Sequence, residues 1–292
     1  MTRQVPIDVQ NGVLRLLRQL TESAVAINDF SSTSGGCINS GGKLTTSVGN
    51  FFLKWNDAKK FPNMFQAEAS GLNLLHSAQA VYVPKVIGTS IEGSFQFILL
   101  EFIEGRISED YWRKLGTGLA AQHKVKSEMA GLDHSNYIGS LSQINTQQKS
   151  WIEFFINHRL EAQLKLITAI DSSLSKNFES LFTRLPELLP EEPHSLLHGD
   201  LWSGNLIATA QGRPCLIDPA VYFGNREAEI SFTLLFGGFD DEFYATYHEA
   251  VPLQKGFRER VPIYNLYPLL VHANLFGGSY LSQVKSIIKK WG

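Results

Sequence analysis

The chain is short of cysteine, with only Cys37 and Cys215 in 292 residues. Two cysteines cannot make a disulfide framework, and neither stands at metal-ligand spacing, so a structural zinc is not expected. Net charge is almost absent too: 26 Lys and Arg face 28 Asp and Glu, a balance of −2. No overall field draws the protein to nucleic acid or to an anionic membrane, and neither is expected as a partner. No apolar run approaches the ~20 residues that span a bilayer. The amino-terminal stretch "MTRQVPIDVQNGVLRLLRQL" has no signal-peptide core, because Asp8, Arg15 and Arg18 interrupt it. The expected location is cytoplasmic. What remains is an ordinary globular composition, 43% hydrophobic and 18% charged, suited to small-molecule chemistry. His123, His158 and His248 fall in helical patterns and read as partly buried structural histidines, not as ligands.

The texture changes near residue 103, dividing the expected α+β architecture into a lobe at 1–103 and a lobe at 104–292. After a leading helix over 12–23, "VAINDF", "CINSGGKLTTSV" and "NFFLKW" cluster β-branched and aromatic residues between glycine-rich breaks, as antiparallel strands do. "MFQAEASGLNLL" has helical spacing and inserts one helix at about 63–78, and "VPKVIGTS" and "SFQFILLEFI" then form a hairpin. The expected small lobe is a five-stranded antiparallel sheet with one helix. Beyond residue 108 the pattern predicts helices at about 108–126, 150–170, 175–185, 226–236, 240–250 and 260–290. They are interrupted by two short strands in "NLIATAQGRPCLIDPA".

Directly before that hairpin stands "LLHGDLWSGNLI". His198, Asp200, Asn205 and then Asp218 resemble, in order and interval, the catalytic loop and metal-binding Asp of eukaryotic-type kinases. Phosphoryl transfer needs a carboxylate to orient a hydroxyl and accept its proton, the role suited to Asp200. It also needs oxygen ligands for Mg²⁺, the role suited to Asn205 and Asp218. His198 reads as a scaffold for the loop. Taken singly, "HGD" is more often a turn and "IDPA" a strand end, but the combined spacing favours the chemical reading. A kinase of this kind also requires a strand lysine and a helix glutamate to pair with it. Lys54 and Glu68 fall in those elements, although each alone reads as a surface charge. "SSTSGGCINSGG" is not a Walker A sequence, but the backbone of Ser34, Gly35, Gly36 and Cys37 is able to approach phosphate oxygens. "FILLEFI" would be the lobe hinge, with main-chain groups of Glu101 and Ile103 facing adenine.

Over nearly its whole length the sequence resembles the fructosamine kinases, or ketosamine 3-kinases, relatives of aminoglycoside and choline kinases with a bilobal protein-kinase-like fold. The resemblance rests on "GGCIN", "FFLKWN", "MFQAEASGLNLL", "NYIGS", "HGDLWSGNL", "IDPAVYFGNREAEISFTLLFGGF" and "LYPLLVHANLFGGSYL". It implies transfer of the ATP γ-phosphate, with Mg²⁺, to the 3-hydroxyl of a free or protein-bound ketosamine. The product is unstable and frees the amine, so the family deglycates proteins. Ribulosamines and erythrulosamines are the implied preference over fructosamine. Trp202 becomes the residue expected against the substrate sugar, its alternative being a core tryptophan that braces the loop. Some family members form an intermolecular disulfide in the phosphate loop. Cys37 is therefore either a redox-sensitive thiol, making the protein a monomer or a redox-dependent homodimer, or a small residue packed under the loop. Cys215 reads as core. Pro268, Val271 and Ala130 depart from the family pattern and leave the sugar open. An aminoglycoside or choline acceptor is the nearest alternative. The absence of any acid in 260–292, which carries Arg260, Lys285, Lys289 and Lys290, argues against a polycation. A catalytically inactive nucleotide-binding interaction module is the other alternative, disfavoured because no catalytic residue is missing.

Overall fold

The computed structural model describes residues 4–33, 39–167 and 172–291. The first element is α1 (Ile7–Thr21), whose Val9, Val13 and Leu17 form one buried stripe. Its start lies earlier than the periodicity suggests because Pro6 caps it, leaving Ile7 and Asp8 inside the first turn. Strands β1 (Ile27–Ser32), β2 (Ser40–Thr46) and β3 (Gly49–Asp57) follow. Next come helix α2 (Met64–Ser77) and strands β4 (Val86–Glu92) and β5 (Phe95–Glu101). The five strands form one antiparallel sheet in the order β1-β2-β3-β5-β4.

Both faces of the sheet centre are covered, which explains the nearly unbroken apolar runs in β3 and β5. Strand alternation sends Leu53, Trp55, Phe97 and Leu99 to the core shared with α1. It sends Ile98 and Leu100 to the opposite core, with Phe65, Ala69, Leu72 and Leu75 of α2. Lys54 lies between Leu53 and Trp55 and therefore projects to the α2 face. That second core continues past residue 103 into Leu115 and Leu119, Leu196, Leu216 and Val221, so apolar packing runs unbroken beneath the connection.

The rest of the chain is mainly helical. Helix α3 (Tyr111–Gln122) leads to short strands β6 (Lys126–Ser127), β7 (Asn136–Ile138) and β8 (Leu141–Gln143). Helix α4 (Trp151–Phe154) passes through a π-helical turn, Phe155–Leu160, into α5 (Glu161–Leu164). The expected single helix over 150–170 is thus widened in its middle. The wide turn carries the fully buried Arg159, whose guanidinium lies 4.0 Å from the Tyr222 ring centre and 4.5 Å from that of Phe154. Helix α6 (Ser172–Leu188) precedes β9 (His194–Leu197), the hairpin β10 (Leu206–Ala208) and β11 (Pro214–Leu216), and β12 (Tyr222–Gly224). Strands β12, β9 and β6 form a second antiparallel sheet.

The chain closes with α7 (Arg226–Thr233), α8 (Asp241–Ala250), α9 (Phe257–Tyr264), α10 (Leu266–Phe276) and α11 (Gly278–Trp291). The helix expected over 260–290 is therefore three helices. Asn265 donates its side-chain amide to Ser231 O at 2.9 Å, and Gly277 takes φ +90°, a conformation that no helix continues through. Among the described residues no helix is long and apolar enough to cross a membrane.

Just beyond β5, Gly105 passes so close to the β10–β11 hairpin that a Cβ would stand 1.9 Å from Thr209 O. Gly105→Ala should cost roughly 1–3 kcal/mol by forcing the connection off the hairpin. Urea unfolding of the variant beside the wild-type chain measures that loss.

Candidate active site

The loop after β9 is shaped by what Gly199 lacks. Its φ is +83°, and a Cβ there would stand 2.0 Å from Ala220 O, so only glycine lets the loop lie against the segment that leads into β12. The His198 ring is buried and braces the turn from within. Its Nδ1 accepts the Asp200 N–H at 3.3 Å, which puts the ring proton on Nε2, where it is donated to Ile217 O at 3.0 Å. Asn205 closes the loop by giving its Nδ2 protons to Asp200 O at 2.8 Å and to Asp200 Oδ2 at 3.0 Å. Ile217 N–H returns to Asn205 O at 3.1 Å, bringing the residue before Asp218 to the side of Asn205. Asp218 itself sits at φ +55°, a left-handed conformation that aspartate tolerates better than most residues.

Lys54 ties the sheet to this loop. Its Nζ is 2.7 Å from Glu68 Oε1 of α2 and 2.9 Å from Asp218 Oδ1. Burial alone would pull the lysine pKa down, but the two carboxylates outweigh it and hold it above the ordinary value, so the ammonium stays charged. Asp200 moves the other way. Desolvation pushes its carboxyl up, the Asn205 hydrogen bond opposes this, and Asp218 and Glu229 add to it, leaving the pKa at about 7.

One group that sequence reasoning missed holds the loop from below. Glu229 of α7 is buried and accepts the His198 N–H at 3.1 Å, the Gly199 N–H at 2.7 Å and His123 Nε2 at 2.9 Å. His123 Nδ1 meets the Tyr247 hydroxyl at 2.7 Å. Burial would raise the Glu229 pKa, yet the donors around it keep it below the ordinary value; burial also lowers that of His123, so an ionised carboxylate faces a neutral imidazole. No local signal marked it: Arg226 stands three residues earlier on the same helix, where an ion pair along the helix is the ordinary reading, yet its guanidinium goes to Glu192.

The remaining candidates are placed less centrally. Trp202 lies on the loop, 37% exposed, with its ring folded over Gly204, where a Cβ would come within 2.4 Å of it. Glu101 ends β5 and gives its N–H to Lys85 O at 2.9 Å. Its carboxylate accepts the Tyr82 hydroxyl at 2.8 and 2.9 Å and the Lys85 N–H at 3.2 Å, pinning the strand end. Ile103 follows, half-buried. Ser34, Gly35, Gly36 and Cys37 lie outside the described residues. Cys215 is buried in β11.

Residues 9–291 match the model of the fructosamine kinase family. The chain belongs to that family. It is 43% identical over 280 residues to the chloroplastic protein-ribulosamine 3-kinase of Oryza sativa subsp. indica, covering 92% of this chain and 80% of that one. It is 37% identical over 285 residues to a "Probable ketoamine kinase" of Synechocystis sp., covering 95% of each. A crystal structure from Haemophilus somnus 129PT carrying a fructosamine-3-kinase name superposes with a TM-score of 0.86 at 28% identity, over 95% of this chain and 96% of that one. The architecture is the α+β, bilobal protein-kinase-like fold of these kinases.

The donor set fits a divalent cation. Asn205 spends its amide protons on Asp200 and leaves Oδ1 without a donor among the described residues, and Asp218 gives only Oδ1 to Lys54, with its side chain 49% exposed. An amide oxygen beside a half-exposed carboxylate oxygen is a hard-cation set.

Two outcomes follow. Because the folded-state pKa of Asp200 lies above that of the unfolded chain, folding binds a proton there, and stability falls as pH rises from about 4 to 7. In metal-free protein, Asp200→Asn should raise the Tm at pH 8 and lose that advantage towards pH 4, as read by thermal melts across the range. Glu229→Ala strands three donors and should cost roughly 2–4 kcal/mol in urea unfolding. By displacing Asp200 it should lower kcat about 100-fold.

Proposed function

We propose that the chain is an ATP-dependent ketosamine 3-kinase and that its product, a ketosamine 3-phosphate, comes apart to release the amine. The observation that carries this is the meeting of Asp200, Asn205, Asp218, Lys54 and Glu68 at one place in a member of the fructosamine kinase family.

Asp200 takes the role of base. Its carboxylate orients the acceptor 3-hydroxyl and receives its proton as the oxygen bonds to the γ-phosphorus and the bond from that phosphorus to the ADP oxygen breaks. A pKa of about 7 suits a carboxylate that must take up a proton at neutral pH and release it afterwards. Lys54, charged and steadied by Glu68, aligns the phosphates. Asn205 Oδ1 and Asp218 would hold Mg²⁺, which when bound neutralises phosphate charge. The Ser34–Cys37 segment would cover the phosphates, and the Glu101 carbonyl and Ile103 main chain would meet the adenine. Trp202 offers its exposed face to the sugar.

ADP release should be followed with ATP and Mg²⁺ on lysine ribulosamine, lysine fructosamine, kanamycin and choline, with Asp200→Ala beside the wild-type chain. The expected result is turnover of a ketosamine that drops by about 10²–10⁴-fold in the variant. Turnover confined to kanamycin or choline would keep the phosphotransfer and reject the acceptor.

A further inference from the structure

The tetrapeptide Leu-Phe-Gly-Gly occurs twice, at 235–238 and 275–278, and phosphoryl transfer has no use for it. The fold brings the two phenylalanines onto one imidazole. The Phe236 ring lies 4.8 Å from that of His272, the Phe276 ring 5.6 Å and the Tyr280 ring 5.1 Å. Phe236 also meets the Trp202 ring edge to face at 6.1 Å. An aromatic strip therefore runs from the catalytic loop outward to Phe276, which is 55% exposed. The glycines keep its surroundings open. Gly237 and Gly277 take φ +94° and +90°, and a Cβ at Gly237, Gly277 or Gly278 would find nothing within 4 Å.

The imidazole adds one polar feature of fixed sense. His272 Nδ1 is 2.8 Å from Pro268 O, and a carbonyl only accepts, so Nδ1 carries the proton and Nε2 presents a lone pair. Burial lowers the ring's pKa and favours this neutral form. Aromatic faces attract a cation, and a lone pair takes an ammonium proton, neither needing a carboxylate. The segment 260–292 contains none.

We infer that the two Leu-Phe-Gly-Gly segments, with His272 and Tyr280, form the subsite for the cationic amine arm of the acceptor: the protonated nitrogen that bears the sugar and the alkyl chain beyond it. The inference rests on the ketosamine reading, because there the acceptor's cation is joined directly to the sugar that Trp202 would face.

The test compares two acceptors on the full-length chain, a lysine ketosamine and a ketose carrying the same alkyl arm through an ether oxygen. Their kcat/KM ratio is measured for the wild type, Phe276→Ala and His272→Gln. The wild type should favour the amine acceptor, and each variant should reduce that preference roughly 3- to 30-fold, the range of a cation–π contact. The exposure of Phe276 makes its variant the safer for folding, and His272→Gln keeps an acceptor oxygen while removing the ring. A ratio that stays put in both variants, or a wild type that treats the two acceptors alike, overturns the inference while leaving the ketosamine kinase intact. Failure of the wild type to turn over any ketosamine overturns the proposed function, and the inference with it.

Discussion

The carboxylate of Glu229 carries a charge in the interior with no lysine or arginine against it among the described residues, and Asp200 is positioned by the way that charge is satisfied. Two loop amides and a neutral imidazole do so, each with its donor turned inward. A buried anion tolerates this only if every donor stays in place. The arrangement therefore fixes the His198–Gly199 peptide on one side while Ala220 fixes it on the other, the glycine allowing the approach. Between these two restraints the chain can present Asp200 in few ways. The partly buried carboxylate that results is desolvated, which holds its pKa above the ordinary value.

The support of the loop extends outward through a chain of polar contacts. Tyr247 joins His123 to Arg226, whose guanidinium meets both carboxylate oxygens of Glu192 at 2.8 and 3.0 Å and takes the carbonyls of Val251 and Pro252. Four helical and loop segments thus converge beneath the loop that carries Asp200. On the opposite side Lys54 joins β3 to α2 and to the end of the β10–β11 hairpin. The site is held from two independent directions, one by backbone amides on a buried acid and the other by an ion pair.

How much of this could be read in advance depends on the range of each contact. His198, Asp200 and Asn205 belong to one loop whose turns fix their intervals, and a short hairpin sets the distance to Asp218, so the spacing survives in the sequence. Lys54 and Glu68 are 14 residues apart and sit in adjoining elements of plain periodicity. Glu229 and His123 are 106 residues apart, and neither type is unusual in a helix, so nothing local announces the pair. The π-helical turn keeps an apolar stripe through its extra residue and reads as regular helix. The break at Gly277 was marked by its glycines, but apolar periodicity on both sides masked it. Strands β6 and β12, of two and three residues, are too short for alternation to show. The five strands and their inserted helix were legible because each is long enough for its periodicity to show.

Trp202 has a consequence beyond its contacts. Of the five tryptophans in the chain it is the one that stands clearly in solvent; Trp55 and Trp151 are buried, and Trp112 and Trp291 partly so. Trp202 is two residues from Asp200, and its indole lies over Gly204 and meets Phe236 in a T-shaped contact. An acceptor seated there would strip water from this fluorophore while hardly touching the others. On the proposed reading of the site, Trp202 would be an intrinsic optical reporter that distinguishes arrival of the sugar from arrival of the nucleotide.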